Sequence, residues 1–146
     1  MICKYKQALI ASTLLGLVSI IAPVYILGDL KPYNSPLFPL IRTGIEGLSK
    51  YSLSFLFLSG FFVKAISKAP FWLVGIMSMF IFPLAAICEM IADSGSHNLF
   101  PLEFFLYTLF SIPSIIGAFT AHSIKLILLK LKNKTTDPLP LFLVIL

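Results

Sequence analysis

The sequence predicts an all-α integral membrane protein, an antiparallel four-helix transmembrane bundle, and three observations lead there. The first is composition: of 146 residues, 58% are hydrophobic and 12% charged, with a mean hydropathy of +0.98, against the roughly 45–50% apolar content of an average soluble domain. A soluble surface cannot be assembled from so few polar side chains. The second is length. A helix needs roughly 20 apolar residues to cross the hydrocarbon layer, so the chain has room for four crossings in one membrane domain and for no sizeable soluble one. The third is punctuation, since lysines and prolines cluster at the ends of the apolar runs.

The first span is read as 8–28. Lys4 and Lys6 ahead of it give the look of a secretory signal, but a signal's apolar region has roughly 7–15 residues and ends at a small-x-small site. This run continues through Ile20, Ile21 and Val24 to Gly28, so a retained helix is expected. Ala8, Ser12 and Gly16 fall at i, i+4 and i+8, a small-residue face of the kind on which membrane helices approach closely, and Pro23 should kink the outer third.

The outer loop, 29–51, divides in two. Pro32, Pro36 and Pro39 keep its first half out of regular helix. In its second half Leu37, Leu40, Ile41, Ile45 and Leu48 lie opposite Arg42, Thr43, Glu46 and Lys50, a pattern that fits an amphipathic helix in the interface; Gly44 and Gly47 argue against it.

The second span, 52–67, is short, and Lys64 in its last turn is expected to snorkel to the headgroups. Lys68-Ala69-Pro70 makes a tight turn into the third span, 71–92, with Trp72 as an interfacial anchor, Pro83 near the middle and Glu89 before the end. The fourth span, 102–129, carries Pro113 and a small stripe of Ser114, Gly117, Ala118 and Ala121. Backbone groups freed by prolines need new partners in lipid, and Ser78, Ser111 and Ser114 are at hand. A tail, 130–146, is polar as far as Asp137 and then apolar, too short to span, so it either docks on the bundle or lies in the interface.

Net charge is +5, yet the basic residues sit singly or in pairs at span ends, which reads as topology and not as a nucleic-acid surface. Lys4, Lys6, Lys64, Lys68, Lys125, Lys130, Lys132 and Lys134 fall on one side, and Lys31, Arg42 and Lys50 on the other. Both termini are therefore expected in the cytoplasm, and a bacterial inner (plasma) membrane is the expected location. Cys3 and Cys88 fall near opposite faces and should not pair.

Polar chemistry concentrates in Glu89, Asp93, Ser94, Ser96, His97, Asn98 and Glu103. An ionisable residue inside a span is costly and marks a candidate site. Glu89, Asp93 and His97 would share a helix face, although Gly95 favours a break before His97. One reading makes Asp93, His97 and Glu103 ligands of a divalent metal, or Glu89 a proton-exchanging carboxyl. The other makes the group a polar turn, with acids complementing the next helix's dipole and Asn98 satisfying turn backbone. No His-Glu-x-x-His, Gly-x-Ser-x-Gly or phosphate-binding glycine loop is present, so no catalytic residue is assigned and no cofactor is implied beyond that divalent metal. His122 reads as a packed or interfacial residue.

The run Asp93-Ser94-Gly95-Ser96-His97-Asn98-Leu99-Phe100-Pro101-Leu102-Glu103 resembles a loop pattern, Asp-x-x-Ser-His-Asn-Leu-x-Pro-x-Glu, of small uncharacterised bacterial multi-spanning inner-membrane proteins. The resemblance implies the compartment and no reaction, cofactor or partner. The expected function is a non-enzymatic accessory, structural or transport-related component. The alternatives are a metal-assisted membrane enzyme with an outer-face site and a proton- or ion-coupled carrier formed by oligomers. Expected partners are the lipid bilayer, other membrane subunits or further copies of the chain, and no nucleic acid.

Overall fold

The computed structural model describes residues 5–28, 37–92 and 100–136, the side chains of 100 and 133–136 excepted. Within them the chain is helical, with no strand: α1 (Lys6–Leu27), α2 (Pro39–Glu46), α3 (Lys50–Ile66), α4 (Phe71–Ser78), α5 (Ile81–Ala92) and α6 (Phe100–Thr136). Three helical stretches are long and apolar enough to cross a membrane: Lys6–Leu27, Phe71–Ala92 and Pro101–Lys132. The fourth expected crossing corresponds to α3, whose 17 residues extend only about 25 Å at 1.5 Å per residue, under the roughly 30 Å of a bilayer core.

Local chemistry sets most of the boundaries. Gly28 closes α1 at φ 72°, a left-handed conformation that costs glycine nothing. At the start of α3, the Ser49 hydroxyl accepts the Ser52 N–H and the Ser52 hydroxyl accepts the Ser49 N–H, a reciprocal cap. The expected third span is two helices, broken at Met79 and Phe80. Pro83 has no N–H to give the Met79 carbonyl, which instead takes the Phe82 N–H at 3.2 Å, while Met79 and Phe80 donate to Ile76 and Met77, each at 3.2 Å. These three-residue bonds tighten the chain one turn ahead of the proline. By contrast α6 passes through Pro113 and on to Thr136, so 130–136, read from the sequence as the start of a polar tail, is helix. Leucine and lysine are both good helix formers, and no breaker stands before Pro138.

Two apolar clusters fix the order of the ends. One gathers Val63, Ala69, Val74 and Ala118, with Tyr5, Ala8 and Phe71 against them. The other gathers Ile20, Leu56, Met79, Phe82, Ala86 and Tyr107. Position therefore rises from the first cluster to the second along α1 and along α4–α5, and falls along α3 and α6, so successive long segments run in opposite directions. The first cluster marks the end carrying Lys6, Lys64, Lys68 and Lys125, hereafter the basic end; α2 lies over the other.

Backbone meets backbone at these contacts. A Cβ added at Gly60 of α3 would overlap the Ser114 carbonyl of α6, and one added at Gly117 of α6 would overlap the Phe57 carbonyl of α3. Gly16 meets Ser78 in the same way. Hydroxyls cross between helices as well: Ser12 donates to the Val74 carbonyl at 2.6 Å and Thr13 to that of Met77 at 2.9 Å. Close approach and interhelical hydroxyl bonds are what hold helices together where no hydrophobic drive separates them from their solvent. On the opposite face of α1, Ile10, Leu14 and Val18 are each more than half exposed, a surface suited to hydrocarbon.

The amphipathic stripe of the outer loop divides. Ile41, Ile45 and Leu48 pack on the second cluster, and Thr43 and Gly44 are buried, with a Cβ at Gly44 placed 3.2 Å from Ile20. Leu37 and Leu40 remain exposed. So α2 rests on α1, and its rim, Leu37 and Leu40, is left exposed.

Candidate functional site

Where α2 starts, Pro39 supplies no N–H and the Phe38 N–H has no intrahelical acceptor, as at any helix N-terminus. That donor goes to Glu89 Oε1 at 3.1 Å. Glu89, in the last turn of α5, is 5% exposed, and a carboxylate there also complements the positive end of the α2 dipole. One turn into α2, Arg42 donates from Nη1 to Glu103 Oε1 at 2.9 Å and holds Nε 3.6 Å from Glu46 Oε1. Charge-assisted bonds of this kind are about twice as strong as neutral ones. Tyr107 lies one turn after Glu103 on α6 and is buried, within the field of Glu103, Arg42 and Glu89.

Phe38, Arg42, Phe82, Glu89 and Tyr107 line a cavity of about 10 Å³, room for about one water. Three elements are thus tied through polar groups: α5 by Glu89 and α6 by Glu103, both to α2. The arrangement can clamp a helix, and at that size it cannot admit an organic substrate.

Of the residues singled out from the sequence, Glu89 and Glu103 come together in this cluster. Asp93, His97 and Asn98 lie outside the described residues. Among the described residues no three His, Cys, Asp or Glu side chains are grouped so as to hold a metal. His122 stacks on Phe71 with ring centroids 6.0 Å apart, and Cys88 is a half-buried free thiol.

Arg42, Tyr107 and the Phe38 N–H are the partners that reading by sequence neighbourhood misses. Glu89 has no Lys or Arg within twenty positions on either side, and Arg42 falls on the polar side of an amphipathic stripe, which reads as the water side. A trace was present in the spacing: Glu103 and Tyr107, like Arg42 and Glu46, stand at i, i+4.

At the basic end Lys64 does not snorkel. Its ammonium is buried and donates to the Ala69 carbonyl at 2.6 Å, closing the α3–α4 turn, with Lys125 near enough to repel it. Comparison with protein-family models, curated proteins and solved structures finds no match for this chain.

Proposed function

We propose that the chain is a multi-pass inner-membrane protein with four crossings, acting as a non-enzymatic accessory component of a membrane assembly. The observation that carries this reading is the polar cluster in which Arg42, Glu89 and Glu103 are engaged in holding α2 to α5 and α6, beside space for about one water. Polar groups taken up in joining helices support a structural role.

For α3 as the fourth crossing, the support is its place between α1 and α6, with Ser49 and Lys50 at one end and Lys64 and Ser67 at the other. A helix of its length is accommodated by local thinning of the bilayer at a modest cost. The concentration of lysines at one end supports a cytoplasmic position for that end and for both termini. The resemblance of Asp93–Glu103 to small bacterial inner-membrane proteins supports the same compartment.

The test is metal content and native size after extraction in mild detergent. The expected result is an assembly larger than the chain's own 16.2 kDa and metal well below one ion per chain. One divalent ion per chain, lost on Glu103→Gln, would overturn the proposal in favour of metal-assisted chemistry, and a chain that is monomeric in native membranes would remove the accessory role.

A further inference from the structure

Between the first turns of α1 and the last turns of α3, at the basic end, lies a slot of about 860 Å³, within the roughly 300–1,000 Å³ of small-molecule sites. Its walls are apolar, from Ala11 and Leu15 on α1 and Phe62 and Ile66 on α3, and its rim carries Lys6 and Lys68. Ser67 also lines it.

Charge points the same way. Lys6, Lys64, Lys68 and Lys125 share this end, while the acids among the described residues, Glu46, Glu89 and Glu103, stand at the α2 end. Two rim ammonium groups therefore face outward with no carboxylate among the described residues to balance them, above a wall that water wets poorly.

We infer that this slot holds one anionic phospholipid, its phosphate between Lys6 and Lys68 and one acyl chain along Ala11, Leu15, Phe62 and Ile66. Phosphate supplies acceptors to both ammonium groups, and the chain covers apolar wall that a soluble anion leaves bare. Basic pockets between membrane helices recognise anionic headgroups by this division of labour. The inference needs only that the protein sits in a bilayer, and it stands or falls separately from the accessory role.

Native mass spectrometry of the full chain in mild detergent tests it, with phosphatidylglycerol, phosphatidylcholine and water-soluble glycerophosphate added in turn. Each lysine near an anionic headgroup is worth roughly a factor of five, so phosphatidylglycerol should be retained about 25-fold more tightly than phosphatidylcholine. Lys6→Gln with Lys68→Gln should reduce the preference to near one, whereas Lys130→Gln with Lys132→Gln should leave it intact. Ala11→Phe, which fills the slot and keeps both lysines, should weaken both lipids alike, with helicity by circular dichroism unchanged. A preference that survives the double lysine change overturns the site. Displacement of phosphatidylglycerol by equal glycerophosphate would reduce it to an anion site without an acyl chain. A dimer that forms without lipid and dissociates on Ala11→Phe would assign the slot to a second copy of the chain.

Discussion

Glu89 and Glu103 belong to one cluster but hold different partners, and that difference sets what each substitution does. Glu103 carries the charged bond to Arg42 at 2.9 Å. Glu103→Gln removes the ionic part and should lower stability by about 1.5–3 kcal/mol, the usual worth of a hydrogen bond to a charged group. Glu89 receives a backbone N–H, and the amide oxygen of Glu89→Gln still accepts it, so the loss should be smaller. Glu89→Leu leaves that N–H buried and unmade, at a cost of about 1–3 kcal/mol. Thermal unfolding in detergent should rank the three with Glu89→Gln nearest the parent. A proton-coupled role would show the reverse in activity, with Glu89→Gln abolishing it and Glu103→Gln tolerated. The candidate site was half legible at this scale. A carboxyl inside an apolar run is conspicuous anywhere, so Glu89 stands out from sequence alone. Its donor is a peptide N–H fifty-one positions away, and backbone groups leave no mark in residue types.

Among the elements, small residues were the readable signal. Ser12 and Gly16 on α1, and Ser114, Gly117, Ala118 and Ala121 on α6, are all buried, because spacing of three and four residues has only one structural use in a helix surrounded by lipid. Gly117→Leu should be poorly tolerated: its side chain must displace the Phe57 carbonyl of α3, and overpacking of this kind costs about 1–3 kcal/mol. Reduced protease resistance of the membrane-inserted protein would register it, and parent-like resistance would contradict the α3–α6 contact. The position of the α4–α5 break was not legible. Pro83 announces a disturbance, but where the freed carbonyl finds its new donor is decided by three local N–H groups that any sequence would offer. For α2, the pattern gave an apolar face without saying what covers it. Single cysteines at 41, 45 and 48 should react slowly with a water-soluble maleimide, since those side chains pack inward, and one at 40 should react faster because Leu40 is 60% exposed. Equal rates at all four positions would detach α2 from the bundle.

Over the whole molecule, the alternating direction of the long segments and the lysine bias make a joint prediction about sidedness. A reporter fused after Leu131 should be active on the cytoplasmic side, and one inserted at Gly47 on the opposite side. Activity of the Leu131 fusion outside the cytoplasm would overturn the proposed orientation, and a side opposite to that of a tag at the N-terminus would mean an odd number of crossings, which the four-crossing proposal does not allow. Composition made the membrane character plain because hydropathy is additive along the chain and needs no knowledge of contacts. The number of crossings is harder, since it turns on a few residues at the ends of α3. The length of α6 has a bearing on where such a protein settles. At 37 residues it extends about 55 Å, while α3 measures less than half of that. With α3 as a crossing, as proposed, a thicker, sterol-rich layer would strain it by fractions of a kcal/mol for every ångström of mismatch, and would merely submerge more of α6. The shortest of the four proposed crossings therefore acts as the gauge of the molecule: the membranes that suit it are those α3 tolerates, and α6 carries the reserve.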